Sequence, residues 1–307
     1  MHPILRRVRG VIFRYNSNMP PRRPLVFSVL SALLAAICGL PAFAQQPPPA
    51  SAARILLLPR RIVSGERATL AVLDVNGRLT PGVGVKFSNG DRLTTDVTGR
   101  ALFVAPLNPG VISAAISGRP GRVYTTILSP TEASSLSLDV SLAPRIASLS
   151  DRFELSGNGF CGDADANHVT IGGQSALVLA SSPTSLQVLP PSDLDPGVAS
   201  VEISCAKRSA PAFSVKFVAL ALEADSSPLA PGDRRILTVR VEGTSLKVPL
   251  EAHNLAPDIA DLSGGNPARV TSSGGGDNLA KFQLVGRQKG SLVVSIRLLP
   301  TQAAPRP

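Results

Sequence analysis

The stretch SGNGFCGDADANHVTIGG, Ser156 to Gly173, gathers a cysteine, a D-x-D-x-N spacing, a histidine and five glycines into eighteen residues. Three readings compete for it: a reactive thiol, a metal loop, or a turn between strands. Oxygen ligands at alternate positions, Asp163, Asp165 and Asn167, suit Ca²⁺. A loop of the EF-hand kind, however, also needs glycine at its sixth place and a distal bidentate acid. His168 stands at that sixth place, and Val169-Thr170-Ile171 follow as strand residues. The three residues are therefore a weak Ca²⁺ candidate, and the stretch is predicted to be the turn of a β-hairpin. A nucleophilic Cys161 would need a base and an orienting group. Beyond the first 44 residues only His168 and His253 offer an imidazole.

Working outward, short apolar runs alternate with Gly, Pro, Asn and Asp clusters about every eight to twelve residues, the pattern of β-sandwiches. Val201 and Ile203 alternate with Glu202 and Ser204, Phe282 and Leu284 flank Gln283, and Leu292, Val294, Ile296 and Leu298 leave Ser295 and Arg297 on the other face. Successive strand side chains fall on opposite faces, so each run offers one apolar face that must meet another sheet. Asn76-Gly77 and Asn89-Gly90 supply the positive φ that tight hairpins need, and Pro196-Gly197 and Pro231-Gly232 punctuate later segments. No stretch holds a helical period for three turns. The prediction is an all-β chain of tandem sandwiches.

The first residues carry a different message. Arg22 and Arg23, an apolar run from Leu25 to Leu40, and Ala42-Phe43-Ala44 before Gln45 are the three parts of a secretory signal peptide. Residues 1–44 are read as leader and signal peptide, with Met1 and Met19 both available as starts. Cys38 invites a lipoprotein reading, but Ile37 precedes it where a lipobox needs a small residue, and cleavage after Ala44 is preferred. Residues 45–53 form a Pro/Ala linker.

Removing the six arginines of residues 1–44, which include no acid, lowers the formal charge from +10 to +4. What remains is spread thinly, and with no Trp and only Tyr124 beyond the leader, a nucleic-acid surface is not expected. Membrane contact is expected only through the transient signal peptide. Loss of Cys38 leaves Cys161 and Cys205, an even pair in an oxidising compartment. Cys205 continues the inward register of Val201 and Ile203. A Cys161–Cys205 disulfide is predicted, two buried thiols being the alternative. Closing that loop of about 45 residues stabilises by roughly 4 kcal/mol in the chain-entropy model.

Three modules follow the linker: residues 54–130, 144–217 and 218–300, with 301–307 as a tail. In the first, Pro81-Gly82 precedes Val85 and Phe87, and TTDVTGRALF turns at Asp96 and Gly99 before Ala101 and Phe103 re-enter the core. This resembles bacterial immunoglobulin-like repeats of invasin type. In the second, Gly157-x-Gly159-Phe160, Asn167-x-Val169-x-x-Gly172-Gly173, SSPTSLQV and a last strand after Pro196-Gly197 resemble the IPT/TIG domain. That immunoglobulin-like fold is shared with plexins and many bacterial surface proteins; here only SLSDR stands where the family has a Gly-rich turn before the first core strand. The third module has the same texture, with strand pairs expected around the Gly-rich loop Ser272–Asn278, and is expected to be a further immunoglobulin-like sandwich.

No motif with a mechanism appears: no H-E-x-x-H, C-x-x-C, G-x-S-x-G, Walker loop or dinucleotide fingerprint. Ser272–Asn278 leads into a strand, so it lacks the helix dipole that holds phosphate and reads as a flexible loop. His253 reads as a solvated loop residue. Asp163, Asp193, Asp195 and Asp258 fall in turns, where aspartates satisfy local amides. No catalytic residue, metal site or cofactor is expected. The reading is a non-catalytic exported protein of the periplasm, cell surface or medium that binds a protein or glycan partner or spaces other parts. The alternative is a carbohydrate-associated accessory protein, with an unrecognised hydrolase behind it.

Overall fold

The structure, a computed structural model, describes residues 11–16, 54–130, 137–223, 229–288, 290–299 and 302–303. The signal peptide from Arg22 to Ala44, Cys38, the linker 45–53 and tail residues 304–307 lie outside the described residues. Within them the chain is all-β, with a 3-10 turn at Ala164–Ala166.

The first module sets a five-stranded sheet, Arg61–Val63, Val123–Leu128, Gly110–Ile116, Gly84–Phe87 and Arg92–Thr94, against Ile55–Leu57, Arg67–Leu73 and Arg100–Val104. Leu70, Val72, Val85, Phe87, Ala101 and Ala114 fill the space between. Its turns follow the residue chemistry. Asp96 Oδ1 accepts from the N–H groups of Thr98 and Arg100, at 2.7 and 3.2 Å. Gly99 follows at φ +78°, where a Cβ would meet Thr80 N at 2.5 Å.

In the second module Asp139–Pro144, Phe153–Asn158, Ser185–Leu189 and Gln174–Ser182 form one layer. Asn167–Ile171, Gly197–Cys205 and Phe213–Glu223 form the other, with Ile146–Ser148 parallel to the last. Gln174–Ser182 serves both layers: its first residues pair with Asn167–Ile171 and the rest with Ser185–Leu189 across a register shift between Val178 and Ala180. Leu155, Ile171, Leu186, Ile203 and Phe217 are fully buried in the core between them. Burying each such side chain contributes roughly 1.5–3 kcal/mol.

One difference from expectation concerns the opening stretch. Phe153–Asn158 and Asn167–Ile171, which flank it, do not pair with each other. It is a crossover between layers, and no hairpin forms there, because each flanking strand is already paired on both edges by other strands.

The third module packs Ala260–Leu262, Leu279–Gly286, Arg234–Glu242 and Phe213–Glu223 against Ala268–Thr271, Pro249–Asn254, Ser291–Leu298 and, on the outer edge of the last, Val11–Asn16. The strand Phe213–Glu223 is shared: Phe213, Val215 and Phe217 enter the second core, Val218 and Leu220 the third. The strands flanking Ser272–Asn278 lie in different sheets, so the Gly-rich loop also crosses layers. It is fastened, not loose: buried Asn278 donates through Nδ2 to the carbonyls of Thr244 and Leu246, and its Oδ1 accepts from Gly274 N–H at 2.8 Å. His253 lies within strand Pro249–Asn254 and is exposed.

Candidate functional site

The chemistry-bearing residues gather where modules meet, beginning with the opening stretch. Asp163 caps the 3-10 turn, its Oδ1 accepting from Asp165 N–H at 3.0 Å. Asn167 is turned inward and brackets the loop: Nδ2 donates to the carbonyls of Cys161 and Asp163, both at 2.8 Å, and Oδ1 accepts from Cys161 N–H at 2.9 Å. Asp165 pairs with the buried Arg100 of the first module. The oxygens of Asp163, Asp165 and Asn167 are thus directed at three different partners and do not converge on one point. Cys161 and Cys205 are joined in a disulfide, Cα atoms 5.8 Å apart, which ties the loop to the inner face of Gly197–Cys205.

The bracketed loop presses on the first module. Gly162 lies so near strand Arg67–Leu73 that a Cβ there would come within 1.9 Å of Arg67 O. Thr69 Oγ1 donates to Gly162 O at 2.8 Å and accepts from Ala164 N–H at 3.1 Å. Ser182 and Thr184 donate to Arg61 O at 2.6 and 3.1 Å, and Ser181 pairs with Thr69 across the seam. Leu57, Ala71, Leu73, Leu179 and Ala180 close a small apolar cluster beside them. Glycine, serine, threonine and alanine suit such a seam because two backbones must approach closely and every buried amide there needs a partner.

A cleft of about 610 Å³ opens where all three modules meet, lined among others by Arg60, Tyr124, Asp151, Glu154, Gln187 and Arg297. Glu154 is nearly enclosed; its Oε2 lies 2.9 Å from Arg60 Nε, and Ser185 Oγ donates to Oε1 at 3.3 Å. Burial pushes the Glu154 carboxyl above the usual carboxylate range, against the pull of Arg60 and the Ser185 hydroxyl. Asp151 is paired with Arg152 at 3.5 Å. Tyr124 stands 64% exposed. On the third module, buried Glu251 is held between Arg269 Nε at 2.9 Å and Arg297 Nη2 at 2.6 Å, and hydrogen bonds from Arg297 and then Arg269 keep its carboxyl below the usual range.

Asp193, Asp195 and Asp258 are exposed in turns or loops away from this cleft, and His168 is exposed on its strand. Among the described residues no three His, Cys, Asp or Glu side chains are grouped to hold a metal ion. Among them, too, no helix is long and apolar enough to cross a membrane. Sequence reasoning missed Thr69, Arg100, Glu154 and Gly162 as contact residues. One signal was available: RATLAVL and ALVLASS carry no charge past their first residue, which marks strands covered on both faces.

No family model matches the chain, and no curated protein does. The IPT/TIG and invasin-type resemblances therefore rest on the residues that carry them. Among solved structures the chain is similar to a Bacteroides ovatus mixed-linkage glucan utilization locus protein, SGBP-B, in complex with a mixed-linkage heptasaccharide: 13% identity, 83% of this chain, 76% of that one, TM-score 0.29. It is also similar to surface layer protein SbsC, domains 1–6, at 13% identity and TM-score 0.20, and to the plexin A4 extracellular region at 10% and 0.29. These matches take in 83% and 82% of this chain but only 39% and 33% of those two. At such TM-scores the likenesses do not bear on function.

Proposed function

We propose that this chain is an exported, non-catalytic interaction or structural protein of the periplasm or cell surface, in which immunoglobulin-like modules are held in a fixed relation so that their edges and loops face partners. The observation that carries the reading is the built seam between the first two modules. Gly162 against Arg67, Thr69 bonded to both Gly162 and Ala164, and Arg100 with Asp165 commit buried polar groups to fixing one module on the next. In the junction cleft Glu154 of the second module likewise meets Arg60 of the first, at 2.9 Å. Fractionation of cells making a tagged chain tests this: recovery from the envelope or medium with residues 1–44 removed is expected, and retention in the cytoplasm refutes export.

One feature favours a second reading, a carbohydrate-associated accessory role. Exposed Tyr124 beside Arg60, Asp151 and Gln187 offers an aromatic face rimmed by polar groups, the combination on which sugar rings dock. Retention on insoluble glycans that Tyr124→Ala abolishes would select it; retention by neither form removes it.

A further inference from the structure

The third module takes one strand of its second sheet from far outside itself. Its own contribution ends at Ser291–Leu298, and the place beyond is filled by Val11–Asn16, antiparallel, with six residues in register from Val11 opposite Ile296 to Asn16 opposite Ser291. Val11, Phe13 and Tyr15 stand opposite Ile296, Val294 and Leu292, which belong to the module's core. Yet residues 11–16 lie inside the segment read as the removable leader.

The edge this strand covers is unprotected. Natural edges are blunted by lysine, proline, bulges or inward charges. Ser291–Leu298 reads SLVVSIRL, with six in-register residues and one arginine, and Arg297 is drawn to Glu251. The backbone groups facing outward can be identified. Val293 O accepts from Leu255 N–H and Leu299 N–H donates to Pro249 O, so odd-numbered residues bond inward to Pro249–Asn254 and its neighbours. The alternation of a strand then directs the amides of Leu292, Val294 and Ile296 outward.

We propose that this edge is a strand-acceptor site: with the leader gone, it takes an extended segment of another polypeptide, antiparallel, with apolar residues at the three positions now held by Val11, Phe13 and Tyr15. Main-chain hydrogen bonds supply the attachment, and the alternate apolar positions supply selectivity. The proposal rests on the export reading for the removal of residues 11–16.

The test uses the chain recovered from the envelope or medium of exporting cells, its N-terminus established by mass spectrometry, and a fluorescent peptide of residues 9–18, RGVIFRYNSN. Saturable binding is expected. N-methylation of the peptide at positions 11, 13 and 15 removes the amides aimed at Leu292, Val294 and Ile296 and should weaken binding about tenfold or more, while N-methylation at 12 and 14 should leave it nearly unchanged. No binding, or equal loss from both peptides, overturns the proposal. If residues 1–44 are retained, the export reading fails by itself, and the edge is tested in the full chain. Phe13→Asp with Tyr15→Asp should then open it to the peptide, while the unsubstituted chain stays closed. Binding to neither form overturns the acceptor site.

Discussion

The two seams of this molecule are built in opposite ways. Between the second and third modules the joint runs through a shared strand, Phe213–Glu223, that buries side chains first in one core and then in the next, with Ile146 packed on the third core and Gln302–Ala303 paired back onto Asp139–Pro144. Between the first and second it is a meeting of residues about 90 to 120 positions apart, Thr69 with Gly162 and Arg61 with Ser182 and Thr184. A covalent joint needs no side chain to specify it. A contact joint has to pair most of the polar groups it buries, and that explains the small, hydroxyl-bearing residues that line it; the Nε of Arg100 is a buried atom there with no hydrogen-bond partner.

The largest test strikes the shared strand. Phe217 is fully buried and meets Phe153 edge to ring at 5.8 Å. Phe217→Ala should cost about 3–5 kcal/mol, and chemical denaturation should show the second and third modules losing stability together; loss confined to the second would break the contrast between seams. Replacing Cys161 and Cys205 by alanine should cost about 4 kcal/mol, felt in the second module and at the contact seam, because the same loop carries Gly162. Gly162→Ala should cost about 3 kcal/mol, since the Arg67 carbonyl is backbone and cannot step aside. Hydrogen exchange should rise in Arg67–Leu73 and Gln174–Ser182 while the third module stays protected. Thr69→Val leaves Gly162 C=O and Ala164 N–H without their hydroxyl and should cost about 2 kcal/mol with the same exchange pattern.

The smallest effects separate the regions by pH. Glu154 binds its proton more firmly folded than unfolded, so stability at the junction falls as pH rises from the ordinary value near 4.5 through the raised one. Glu251 behaves oppositely: its contribution is present above 4.5 and is lost as pH falls through the lowered value. Urea midpoints followed across acid pH should show both slopes. Glu154→Gln should flatten the first and Glu251→Gln the second.

The same contrast explains what could be read from the chain in advance. Strand alternation at Val201, Ile203 and Cys205, or at Leu292, Val294 and Ile296, is local and was legible, as was the Asp96–Gly99 turn. The crossover at Ser156–Gly173 was not, because pairing partners are chosen across the whole module and nothing within eighteen residues names them. Glu154 illustrates the limit. Phe153 and Leu155 point to their own core, leaving the glutamate on a face that a solvated strand would expose; it is enclosed only because the neighbouring module lies over it.

The shared strand also decides how this protein can be divided. A cut between Phe217 and Val218 keeps the second core's aromatic residues but falls in the middle of the parallel ladder in which Ala147 faces Phe217 and Ser148 faces Val218. Neither half would carry a finished border away from the break. Any cut within this strand therefore takes a paired edge from one module or the other, and the last two modules separate only by breaking a ladder.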